Sequence, residues 1–201
     1  MFKTTLQIIL FNFLLFGLEL DSIQSFNNWN NLQTGKISID WCTYNNFPIS
    51  RAKTIIDHPI NAVAIIVQDL DNYPTLFERV TKTIRLEQNV VQIVLDMPFP
   101  FDGRDYIVKY NIKNFNNRWV FSFSSINHPR AELESNHVRL PNAAGIWILN
   151  KLNENQTEVT YAWNGELLGN FPDIGLTRAW VTQGNEVLHW LEKGLIKRSN
   201  L

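Results

Sequence analysis

A single cysteine, Cys42, stands in a chain of 201 residues. One thiol excludes an internal disulfide and any zinc site built from several thiolates. Neither staple is required, because a chain of this length buries roughly 70% of its unfolded surface on folding. Charge of one sign is missing too: 18 basic side chains face 19 acidic ones, and no run of Lys and Arg occurs. That excludes the electrostatic footprint of a general nucleic-acid binder. Histidine is scarce, and His58, His128, His137 and His189 show neither HExxH nor HxH spacing, so no metal site is recognisable and no cofactor is expected. GxSxG, P-loop and GxGxxG patterns are likewise absent. What is present is apolar and aromatic: 45% hydrophobic and 12% aromatic residues without repeats or low-complexity linkers, the make-up of one globular domain.

Long hydrophobic runs are confined to the start. From Leu6 to Leu18 the chain is apolar except for Gln7 and Asn12, with Lys3 before the run and Asp21 closing it. The run is shorter than the roughly 18 to 20 residues that a membrane-spanning helix needs, and its outline is that of a secretory signal peptide. Cleavage is expected after Ser25, although Ile23 stands where a small residue is usual. Residues 1–25 then form the leader and residues 26–201 the domain, in a secreted or periplasmic location. No cysteine lies nearby to serve as a lipoprotein anchor, and one unpaired thiol is compatible with export. Cys42, next to Trp41 in a strand pattern, reads as an inert buried thiol.

Beyond Lys36, KISIDWCTY and SRAKTIID alternate apolar and polar positions, as half-buried antiparallel strands do. Pro59 then opens INAVAIIVQDL, where Val63, Ile66, Val67 and Leu70 recur at helical spacing; Asp71 to Pro74 break it, and a short helical turn follows near Thr75 to Phe77. Strands are predicted over Val80–Glu87, Val90–Leu95, Arg104–Lys113, Arg118–Ile126, Ala144–Leu152 and Thr157–Leu167. Their short separators favour hairpins over crossover units. At the C-terminus Trp180, Val181, Gly184, Val187, Leu188, Leu191 and Leu195 form one stripe of a long amphipathic helix, with Arg178, Gln183, Glu186 and Lys193 expected on the solvent side. Asn155-Gln156-Thr157 is a glycosylation sequon in a predicted turn.

Three segments in this order carry a resemblance. MPFPFDGRDYIVKYNI from Met97 resembles a proline-rich stretch ending in Arg-Asp at a strand start. VRLPNAAGIWILNKLNENQTEVTYAWNGELLGNFP from Val138 is similar to paired strands with Gly-x-Trp and Thr-x-Val-x-Tyr before a glycine and proline. ISRAKTIIDHPINAVAIIVQDLDNYPTLFERVTKTIRLE from Ile49 is similar to an opening strand, helix and Tyr-Pro turn. Together they resemble the START domain, the steroidogenic-acute-regulatory-related lipid-transfer family, over about Phe26 to Arg198. The resemblance implies an α+β helix-grip fold: a curved antiparallel sheet wrapped around the C-terminal helix, enclosing a hydrophobic cavity.

It further implies binding, and transfer, of a lipid or other hydrophobic small molecule by a non-enzymatic monomer that contacts membranes transiently. The alternative within the same superfamily is a polyketide cyclase or aromatase, with Asp96 or Tyr110 as the acid or base. On the strand after Arg104, Lys109 is better placed in solvent, so Tyr106, Val108 and Tyr110 are expected to face inward. The same rule separates Val120 and Ser122 from Phe121 and Phe123 without saying which pair faces the cavity. The expected lining adds Asp96, Trp147, Tyr161, Trp180, Val187, Leu188 and Leu191, with Asp96 as the polar group for a ligand hydroxyl. Arg104 and Asp105, adjacent on a strand and so pointing to opposite faces, are read as structural. Gly169, Gly175 and Gly184 are candidate pivots for a helix that gates the cavity.

Overall fold

The computed structural model describes residues 18–199. Ten strands form one antiparallel sheet in the order β1-β2-β3-β10-β9-β7-β6-β5-β4: β1 (Asn30–Gln33), β2 (Ser38–Tyr44), β3 (Phe47–Ile56), β4 (Val80–Glu87), β5 (Val90–Leu95), β6 (Gly103–Phe115), β7 (Arg118–Ser125), β9 (Ala144–Asn153) and β10 (Gln156–Asn164), with β8 (His137–Arg139) pairing parallel to the start of β6. Short links set this topology. Between β2 and β3 two asparagines, Asn45 and Asn46, take φ of 49° and 66°, the left-handed pair that a two-residue hairpin turn demands and asparagine tolerates. The sequon asparagine, Asn155, lies exposed in the β9–β10 turn.

Between β3 and β4 the chain forms α1 (Ile60–Gln68) and α2 (Tyr73–Leu76), and after β10 it closes with α3 (Leu176–Ser199). Pro59 caps α1, whose Val63, Ile66 and Val67 are buried; Tyr73 fixes α2 by donating its hydroxyl to the Val67 carbonyl at 2.6 Å. The long helix lies across the concave face of the sheet. Gly184 marks the closest approach, since a Cβ built there would sit 3.0 Å from Ile39 Cδ1 and 3.1 Å from Ala52 Cβ. It is a packing glycine rather than a pivot.

Both faces of the sheet are covered. Inward-pointing residues of β10, β9 and β7 (Val159, Tyr161 and Trp163; Trp147 and Leu149; Phe121) join α1 and α3 in the main core. Their neighbours Ala162, Ile146, Ile148 and Val120 point outward into a second cluster with Cys42 and Ile49, as a two-residue period requires. The cover over this outer face is the segment from Leu18 to Trp29. Leu20 and Ile23 are each 1% exposed, Asp21 pairs with Lys113 at 2.7 Å, Gln24 accepts from Arg118 at 2.5 Å, and the Arg51 guanidinium lies 3.8 Å from the centre of the Trp29 ring.

Residues of the expected leader thus contact the domain. Residues 18–25 are packed into the domain, because without them the apolar outer face would meet water; the remainder of the expected leader, residues 1–17, lies outside the described residues. The solvent-side assignment on α3 changes in part. Lys193 is exposed and pairs with Glu78, and Arg178 is exposed as expected, whereas Gln183 and Glu186 are half-buried on the lining of a cavity. The N-terminal half of α3 overhangs that cavity instead of lying flat on the sheet, so the helix has three environments where an amphipathic pattern assumes two.

Candidate functional site

Curvature of the sheet leaves a space of about 660 Å³ between its concave face and α3, within the range of pockets that take one small ligand. Its back wall is aromatic. Trp147 and Tyr161 stack at 4.3 Å and Tyr161 and Trp163 at 4.9 Å between ring centroids, while Tyr110 and Phe121 stack at 5.3 Å on the other side. These rings come from alternate positions of adjacent strands in register, Trp147 opposite Tyr161 and Phe123 opposite Tyr110. Gly145 makes room for Phe123, whose ring lies 2.2 Å from where a Cβ would be.

Polar groups on the lining fall into two sets. Arg79 grips Glu186 through two hydrogen bonds of 2.6 and 2.7 Å, and the carboxylate raises the guanidinium pKa. Glu166 accepts from Asn164 at 3.1 Å and Asn142 at 3.4 Å. The second set is uncharged: Tyr106, Tyr161 and Gln183, where burial pushes both phenols well above their ordinary pKa. Both hydroxyls therefore stay protonated at any physiological pH.

The mouth lies between the β5–β6 loop and the segment leading into α3, which touch through Phe101 and Phe171 at 4.7 Å. On either side of that contact Phe99 is 97% and Ile174 93% exposed. Large apolar side chains in water beside the mouth of an apolar cavity are the features of an interaction surface.

No family model matches the sequence, and no curated protein is similar enough to register. Solved structures do match. A STAR-related lipid transfer protein from Xanthomonas axonopodis superposes with a TM-score of 0.72 at 15% identity, over 84% of this chain and 99% of that one. Human StAR-related lipid transfer protein 5 gives 0.74 at 15%, over 90% and 93%. The fold is the START-like helix grip. A more distant relative of this fold is the Zhui aromatase/cyclase from Streptomyces sp. R1128, with a TM-score of 0.54 at 13% identity, over 75% and 94%.

Within this START-like frame Tyr106, Val108, Tyr110, Trp147, Tyr161 and Val187 line the cavity. The Tyr110 hydroxyl is engaged at the surface, accepting from Arg85 and donating to the Gln88 carbonyl. Trp180, Leu188 and Leu191 do not line it: they face the sheet, with Trp180 against Trp41 at 5.3 Å and its indole N–H on the Gly165 carbonyl. Asp96 requires the larger correction. Its side chain is 68% exposed, with a carboxylate oxygen 3.9 Å from His137 Nε2. The cause is parity: Ile93 and Leu95 line the cavity, so the next residue turns away.

Arg104 and Asp105 do point to opposite faces, and each ties down a segment outside its hairpin. Arg104, buried without a carboxylate partner, donates to the carbonyls of Leu167 and Leu168 and to those of Asp102 and Gly103. Asp105, fully buried, receives Arg139 at 2.7 and 2.6 Å and Gln92 at 2.8 Å. Sequence reading missed Trp163, which the alternation from Tyr161 reveals, and the pair Arg79–Glu186, whose partners are 107 residues apart and leave no local signal.

Proposed function

We propose that this chain binds one lipid or other hydrophobic small molecule in the cavity and carries it as a monomer, outside the cytoplasm, between membranes it touches only transiently. The aromatic-walled cavity under α3 carries this reading. Apolar burial at about 25 cal/mol per Å² supplies the affinity, and the neutral phenols supply orientation. The mouth rim of Phe99 and Ile174 supports contact with a lipid surface: inserted there, both side chains leave water, and the Phe101–Phe171 contact can part as α3 lifts. Export rests on the apolar run at Leu6–Leu18 alone.

The cyclase alternative takes its support from the aromatase/cyclase of the same fold. Turnover would need a poised acid or base in the cavity, yet Asp96 lies outside it, Tyr110 has its hydroxyl at the surface, and the interior phenols are held protonated. Those placements favour the carrier. The test is native mass spectrometry of the full chain purified without detergent, followed by organic extraction. A stoichiometric lipid is expected; an unliganded mass that persists after incubation with phosphatidylcholine vesicles containing cholesterol would overturn the reading.

A further inference from the structure

Charge and neutrality are divided across the cavity. Each ionic side chain on the lining is either engaged or exposed: Arg79 and Glu186 neutralise each other, Arg104 donates four hydrogen bonds to backbone carbonyls, Glu166 holds two amides, and Arg178 stands in solvent at the edge of the cavity. The polar atoms left for an enclosed ligand are neutral. Tyr106 on β6 and Tyr161 on β10 belong to strands separated by β7 and β9, and the curvature of the sheet puts both on the lining of the one cavity. Gln183 of α3 lies on the same lining. The Tyr106 hydroxyl makes no hydrogen bond among the described residues and is not sealed in by protein.

A buried hydroxyl with nothing to bond to is costly, whereas an ionised group brought beside it with no cation to meet it is costlier still. We propose, resting on the carrier reading, that the ligand is an uncharged lipid with one hydroxyl or carbonyl oxygen, bound by the Tyr106 hydroxyl, with Tyr161 and Gln183 on the same lining. Carboxylate and phosphate head groups are kept out of the interior. A neutral oxygen completes the hydrogen bonding of Tyr106 and uses no ion; a carboxylate would have to displace Glu186 from Arg79 or drag a counter-ion inside.

Three probes of one chain length separate these terms: oleyl alcohol, oleate at pH 9, and 1-octadecene, titrated into the detergent-free full chain. Quenching of tryptophan fluorescence reports occupancy, because Trp147 and Trp163 line the cavity. Oleyl alcohol should bind at least five-fold more tightly than oleate, the factor that about one hydrogen bond supplies. Tyr106→Phe should weaken the alcohol at least three-fold and leave octadecene unchanged. Oleate binding within five-fold of the alcohol, or an alcohol affinity that Tyr106→Phe does not lower by three-fold, overturns the proposal while the carrier reading stands. The comparison of alcohol with oleate on the unaltered chain needs no variant to fold. If none of the three binds, the carrier reading falls and this inference with it.

Discussion

Truncating Leu20 to alanine tests whether the segment before Phe26 is part of the folded domain. Leu20 is 1% exposed and packs into the outer cluster with Ile146, Ile148 and Ala162. Removing its side chain there gives up the transfer free energy of three carbons and leaves a space that the hydrogen-bonded sheet beneath cannot collapse to fill; such Leu→Ala changes cost about 2–5 kcal/mol. Against a domain stability on the order of 5–15 kcal/mol, that is a large fraction. Urea unfolding of the full chain should show the midpoint falling with an unchanged slope. Glu19→Ala is the control: the residue is exposed, and its replacement should move stability by about 0.5 kcal/mol or less. A Leu20→Ala cost below about 1 kcal/mol would refute the docking of this segment.

Arg139→Met should cost about 3–5 kcal/mol by urea unfolding, because it strands the Asp105 carboxylate in a fully buried place with only Gln92 to meet it. Gly184→Ala should cost about 1–3 kcal/mol, since the new methyl meets Ile39 and Ala52 and must push α3 off the sheet. The double change Phe99→Ser and Ile174→Ser should reduce vesicle binding in a flotation assay by about ten-fold or more without lowering cavity affinity, as both side chains stand in water at the rim. Lys113 holds the Asp21 carboxyl below its ordinary pKa. Its contribution is therefore complete above the unfolded carboxyl value near 4 and is lost as pH falls through the lower folded value. Asp21→Asn should remove that acid-side loss from a pH series of melting curves, by a small amount for a half-exposed pair.

The alternation of β6 was legible because Lys109 and Asn111 are polar and mark the outward positions between Tyr106, Val108 and Tyr110. On β7 the same reading stalled, and the structure shows why. Both Val120 and Phe121 are buried, one beneath the N-terminal segment and one in the main core, so a sheet covered on both faces hides its parity. The segment itself escaped notice because Leu18, Leu20 and Ile23 continue the apolar run that reads as a leader. β1, with sequence Asn-Asn-Leu-Gln, and β8, only His137 to Arg139, are too short or too polar to show a period. Asp96 was placed in the cavity by resemblance to other pockets, although the inward positions Ile93 and Leu95 assign it outward. Gln183 and Glu186 look like part of a solvated helix face because a cavity that holds polar groups presents to a helix much the same surroundings as water.

The adjacent pair Arg104 and Asp105 bears on where the proposed opening of α3 would begin. Asp105 binds β6 to β5 through Gln92 and to β8 through Arg139, while Arg104 holds the Leu167 and Leu168 carbonyls. A guanidinium that is buried and hydrogen-bonded only to carbonyls is strongly tethered, because each bond it loses would leave a buried donor without a partner. Any opening of α3 must then leave Leu167 and Leu168 in place and begin after them. The backbone there is already set for a change of direction, with Leu168 and Gly169 at φ of 52° and 61°. Gly169 has the conformational freedom to absorb a rotation that Leu168, latched by Arg104, lacks. The pivot thus falls at Gly169 rather than Gly184. Gly169→Ala is expected to slow ligand uptake in stopped-flow tryptophan fluorescence while leaving the equilibrium affinity within two-fold, because it stiffens the hinge without touching the aromatic wall; an unchanged uptake rate would move the pivot elsewhere.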